Sequence, residues 1–160
     1  MPVEIERKYL VTGRPWEQYT KVKKTVIKQG YISKSPKHTV RIRVTDKKAL
    51  ITIKGPTKGF IRAEYEYEIP YDDGQELLKM CDGHIIDKIR YTFNDSHKQT
   101  WEVDVFHGIN EGLVVAEIEL VSEDTTVKLP DWVLREVTFD KRYTNAYISN
   151  HKLPLEDDVL

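Results

Sequence analysis

The chain has 160 residues, 39% hydrophobic and 32% charged, a size suited to one core or to one sheet closed on itself. Its 25 Lys and Arg against 26 Asp and Glu leave a formal net charge of -1, which excludes the uniformly basic surface of a nonspecific nucleic-acid binder. The single Cys81 excludes an intramolecular disulfide and a CxxC zinc site, and no run approaches the ~20 apolar residues of a membrane span.

The N-terminal stretch MPVEIERKYLV has no uninterrupted apolar run, so a cytoplasmic protein without a membrane partner is expected. From Val3 to Tyr9 apolar and ionised residues alternate, the mark of a half-buried strand. A helix is predicted to follow Gly13-Arg14-Pro15, with Pro15 suited to its first turn. Residues 26–32 add a strand, and residues 40–44 and 51–54 alternate again. The turn Gly55-Pro56-Thr57-Lys58-Gly59 leads into the longest alternating run, residues 61–69. A helix is predicted over residues 72–82, with Asp72 or Asp73 as its cap and Leu77, Leu78 and Cys81 on one face. Residues 88–91, 101–105 and 116–120 complete the strands, with a turn at 94–98 and a longer connection at 107–112. A last helix is predicted over residues 140–150, carrying Tyr143, Ala146 and Tyr147 on one stripe. About eight strands and few helices predict a mainly β (α+β) antiparallel chain forming one domain over residues 1–160.

The polar phase of these strands is almost wholly ionised. Its acids are Glu4, Glu6, Glu64, Glu66, Glu68, Glu102, Asp104, Glu117 and Glu119; its bases are Lys8, Arg41, Arg43, Lys54, Arg62, Lys88 and Arg90. Successive side chains point to opposite faces, so each strand gathers its charges on one side. Alternation by itself reads as a solvated face held by cross-strand ion pairs, each worth little. The i, i+2 carboxylate pairs and the Arg41–Arg43 pair repel unless something neutralises them. A divalent cation such as Mg²⁺ or Mn²⁺ neutralises the first, and a polyphosphate the second. A barrel of about eight strands with the charged face inward would hold both. The outward phase, with Tyr65, Tyr67 and Trp101, would then need cover from helices or from a second copy in a homodimer. His38, His84, His97, His107 and His151 lack HxxxH or HExxH spacing, and no P-loop or dinucleotide fingerprint occurs.

Glu4-Ile5-Glu6-Arg7-Lys8 resembles the ExExK signature of the CYTH superfamily, the triphosphate tunnel metalloenzymes. Arg41-Ile42-Arg43 stands where that family has RxR, followed by Lys54. Arg62-Ala63-Glu64-Tyr65-Glu66 resembles RxExE, Lys88-Ile89-Arg90 resembles KxR, and Asp104 with Glu117-Ile118-Glu119 matches the late acidic strands. The segment from Val137 to Asn145 is similar to the closing segment of small bacterial members. The resemblance implies an eight-stranded antiparallel closed β-barrel, a triphosphate tunnel with flanking helices and a C-terminal helix at one mouth. It implies that Glu4, Glu6, Glu117 and Glu119, joined by Glu64, bind Mg²⁺ or Mn²⁺. It implies a substrate-binding wall of Lys8, Arg41, Arg43, Lys54, Arg62, Lys88 and Arg90, with Lys141 adding a contact. Glu66, Asp104 and Lys8 are the candidates for taking a proton from water. The implied reaction is metal-dependent hydrolysis of inorganic triphosphate or a related organic triphosphate. The alternatives are a class IV adenylate cyclase, a thiamine triphosphatase and a noncatalytic polyphosphate- or nucleotide-binding module.

Overall fold

The computed structural model describes residues 2–153. Nine strands follow in chain order: β1 (Val3–Val11), β2 (Lys23–Lys34), β3 (Thr39–Val44), β4 (Ala49–Lys54), β5 (Ile61–Ile69), β6 (Asp82–Asn94), β7 (Thr100–His107), β8 (Val114–Glu119) and β9 (Val133–Glu136). They pair in the order β5-β4-β3-β2-β6-β7-β8-β1-β9, and a further β1–β5 pairing closes the first eight into an antiparallel barrel. Closure is achieved over a short seam, Val3↔Ala63 to Ile5↔Ile61. Further along β1, β9 joins the wall through Tyr9↔Glu136 and Val11↔Val133. The alternating strands thus have an inside and an outside, and the ionised phase faces in.

The inward phase has two zones. Along β1 it reads Glu4, Glu6, Lys8 and then Leu10; on β6, β7 and β8 the charges likewise give way to Ile86, Phe106 and Val115. These apolar residues and Tyr31 form one buried cluster with Val137, Tyr143, Ile148 and Leu153 of the C-terminal segment. One end of the barrel is therefore filled by a small hydrophobic core, while the other end keeps its charges.

Two further clusters cover the outside. Tyr9, Trp101, Val103, Ala116 and Ile118 pack under Trp16, Tyr19 and Trp132, with Trp101 edge-on to Trp132 at 5.0 Å. Ile42, Val44 and Ala49 pack under helix α1 (Tyr71–Leu78). Trp101, expected on an outer face in need of cover, is fully buried, and the cover comes from the 127–133 segment rather than from a helix. Tyr65, Tyr67 and Ile53 are left exposed.

The helices are shorter than their sequence patterns. The first is a single 3-10 turn, Pro15–Gln18. Helix α1 starts after Pro70 with no side-chain cap, so neither Asp72 nor Asp73 has the capping role expected of it. It stops at Leu78, and Cys81 lies in the turn before β6, its thiol donating to the Leu77 carbonyl. The last predicted helix divides into a 3-10 turn, Lys141–Tyr143, and α2 (Asn145–Ile148), because extended Thr144 interrupts it and caps α2 by accepting from the Tyr147 N–H.

Candidate active site

The charged zone encloses a cavity of about 410 Å³. Glu4, Glu6 and Lys8 of β1 line it with Arg41 and Arg43 of β3, Lys54 of β4, and Arg62, Glu64 and Glu66 of β5. Arg90, Glu117 and Glu119 complete the set that the sequence singles out. The period-2 pattern brings these together because each strand contributes one face to the same interior.

Three predicted residues are placed differently. Lys88 and Asp104 are almost wholly buried and lie behind the lining, joined by a 2.6 Å ion pair. Lys141 is exposed on its 3-10 turn and does not line the cavity. The C-terminal contribution comes instead from Thr144, Asn145 and Ala146, with Asn145 Oδ1 accepting from Lys88 Nζ at 3.0 Å. Lys23, Tyr31, Thr39, Lys48 and Glu102 also line the cavity. Thr39 and Glu102 stand in phase with Arg41 and Asp104, so their strands already carried that signal. The 144–146 lining had none, because it depends on where the C-terminal segment lands.

The charges are interleaved. Lys54 Nζ donates to both oxygens of Glu4 at 2.9 and 3.0 Å and lies 3.4 Å from Glu64. Lys8 Nζ sits 3.7 Å from Glu6 and 4.0 Å from Glu117. Arg90 grips Asp104 through Nε and Nη2 at 2.7 and 2.9 Å and reaches Glu102 at 3.2 Å. Thr52 donates to Glu66 at 2.8 Å and accepts from Arg41 at 3.2 Å. Arg62 donates through Nε to the Gly55 carbonyl at 3.0 Å.

These surroundings push the acids apart. Burial, then Glu117, raises the Glu6 carboxyl to about 8. Burial also raises Glu4, against the pull of Lys54, and raises Glu119 with the help of Glu4 and Glu102. Burial opposes the charge of Asp104 and of Glu117, yet Arg90 and Lys88 hold Asp104, and Lys8 and Arg90 hold Glu117, well below the ordinary carboxylate range. Burial, reinforced by Arg41 and Arg90, lowers the Arg43 guanidinium to about 9. Burial likewise lowers Lys88 to about 7 despite Asp104, whereas for Lys8 the pull of Glu6, Glu117 and Glu4 outweighs burial and keeps its ammonium above the usual range.

Three carboxyls (Glu4, Glu6 and Glu119) keep a raised affinity for protons because burial outweighs the lysines near them, and all are oxygen donors of the kind Mg²⁺ and Mn²⁺ prefer. Their chemistry fits a divalent cation. Among the described residues no three His, Cys, Asp or Glu side chains already stand grouped for one ion, since lysines hold Glu4 and Glu6.

The CYTH domain family profile matches residues 2–149. An inorganic triphosphatase of Acetivibrio thermocellus is 47% identical over 148 residues, covering 91% of this chain and 92% of that protein. An inorganic triphosphatase of Nitrosomonas europaea is 34% identical over 150 residues, covering 91% and 96%. A crystal structure of an inorganic triphosphatase superposes with a TM-score of 0.69 at 31% identity, covering 93% of this chain and 95% of that one. Among the described residues, no helix is long and apolar enough to cross a membrane.

Proposed function

The chain belongs to the CYTH family, whose members are triphosphate tunnel metalloenzymes, and on that footing we propose that it hydrolyses inorganic triphosphate with the help of Mg²⁺ or Mn²⁺. The carrying observation is a barrel cavity whose lining interleaves arginines and lysines with carboxylates, Glu4 and Glu6 among them resisting ionisation.

A divalent ion bound by Glu4, Glu6, Glu117 and Glu119, with Glu64 beside them, would neutralise phosphate charge and acidify water. The chain's own residues do the rest. Arg41, Arg43, Lys54 and Arg90 orient the phosphate chain through charge-assisted hydrogen bonds, and the apolar plug keeps bulk water out of the closed end. Water then attacks a terminal phosphorus, the phosphoanhydride P–O bond breaks, and orthophosphate and pyrophosphate result. Of the three candidate bases, Lys8 stays protonated and Asp104 is locked behind the lining by two cations. Glu66, in the lining and oriented by Thr52, is the remaining group to accept the water's proton.

Inorganic triphosphate fits better than ATP or thiamine triphosphate, because of the lining residues only Tyr31 and Ala146 offer apolar surface to a base or a thiazole ring. The test is to incubate the protein with tripolyphosphate, ATP and thiamine triphosphate, each with Mg²⁺ or Mn²⁺, and follow phosphate, pyrophosphate and cyclic AMP. Phosphate from tripolyphosphate, abolished in Glu4→Gln, is expected. Cyclic AMP from ATP would overturn the reading in favour of a cyclase, and binding without turnover in favour of a noncatalytic module.

A further inference from the structure

We propose that Gln29 is a positioning residue that aims Arg43 at the anion without neutralising it. Gln29 lies on β2 directly across from Arg43 on β3, on the inward phase, and is fully buried. Its Oε1 accepts from Arg43 Nε at 2.8 Å. The guanidinium can only donate, so chemistry fixes which end of the amide faces it.

Arg41 is engaged by Glu66, and Arg90 by Asp104, Glu102 and Glu117. Among the described residues, Arg43 has no carboxylate partner, and its side chain donates to the neutral amide of Gln29 instead. Both terminal nitrogens are thereby left for a ligand, and the cation keeps its full charge. The arrangement carries a standing cost: Gln29 Nε2 is buried with no partner. A glutamate of the same shape would leave no orphaned N–H on residue 29 and would form an ion pair with Arg43. A neutral amide holds Nε by one hydrogen bond and leaves the positive charge of Arg43 to whatever else occupies the cavity.

The proposal rests on the reading of the wall as a polyphosphate site, and Gln29→Glu separates it from a structural role. Without ligand, the variant is expected to melt at or above the wild-type temperature. Its Kd for tripolyphosphate, measured calorimetrically without divalent metal, should rise about tenfold, with KM rising in parallel and kcat holding within about threefold. Gln29→Met, which removes the acceptor and adds no charge, should also raise Kd and supplies the comparison if the glutamate variant does not fold. Kd values within about twofold of wild type for the folded variants would overturn the proposal. A wild-type protein that binds tripolyphosphate without hydrolysing it would overturn the triphosphatase reading and leave the Kd comparison to decide the role of Gln29. A wild-type protein that binds none would overturn both.

Discussion

Glu6 and Asp104 are both buried carboxyl groups, and their neighbours drive them in opposite directions. Glu6 faces Glu117 and Glu4, so burial and repulsion raise its pKa from 4.5 to about 8. Between those values the folded, metal-free protein holds a proton that the unfolded chain releases. Glu6 therefore contributes stability that is fully present below about 4.5 and is lost as the pH rises through about 8. The melting temperature of metal-free protein, compared with Glu6→Gln across that window, should fall more steeply in the wild type; parallel curves would refute the assignment. Asp104 is a counterion to two buried cations. Asp104→Asn should lower the free energy of unfolding by about 3–5 kcal/mol, because Lys88 and Arg90 lose their compensation. A loss of kcat with unchanged urea unfolding would instead restore Asp104 as a base. That Asp104 belongs to the charged interior was legible from its phase with Glu102. That it lies behind the wall was not, since depth depends on which longer side chains reach past it.

Among the elements, the strands were the most legible. Period-2 alternation with β-branched and aromatic residues needs no tertiary information to be recognised, and every alternating run falls on an observed strand, the last overrunning β8 by Leu120. The short β9 escaped notice because Val-Leu-Arg-Glu does not alternate and pairs with β1 alone. Helix lengths were overread for the same reason in reverse: a stripe over residues 140–150 is compatible with a helix, but Thr144 gains more by capping α2 from an extended conformation. Helix α1 lies against the β3–β4 hairpin through Gly74, where an added Cβ would come 2.3 Å from the Ala49 Cβ. Gly74→Ala should force α1 off the sheet and cost about 1–3 kcal/mol in urea denaturation, with the KM for tripolyphosphate unchanged. Unaltered stability would mean that α1 is loosely docked.

At the scale of the whole molecule, the barrel stores unlike charges in alternating patches and closes through a few residue pairs between β1 and β5. Filling the cavity with both a polyanion and a divalent cation neutralises both patches together. Tripolyphosphate with Mg²⁺ should therefore raise the melting temperature of Glu66→Gln, expected to turn over slowly, by more than the sum of the two separate shifts. At a hundredfold excess over Kd, a site binding only the native state adds about 2.7 kcal/mol. Strictly additive shifts would show that the two ligands do not share one cavity.

The order of residues alone determined which side chains share a face, because the pleat alternates from local backbone geometry. It therefore determined that the charged side chains gather on one side of the alternating ribbons, and with the family motifs it pointed to a tunnel. Only the tertiary structure decided how that face is divided. The 137–153 segment folds back over Leu10, Ile86 and Phe106 and turns one end of the interior into a hydrophobic plug. The pairing of each cation with its acid depends likewise on the stagger of strands distant in the chain. It singles out Arg43 as the guanidinium held by an amide, a contact between residues 29 and 43 that rests on the pairing register.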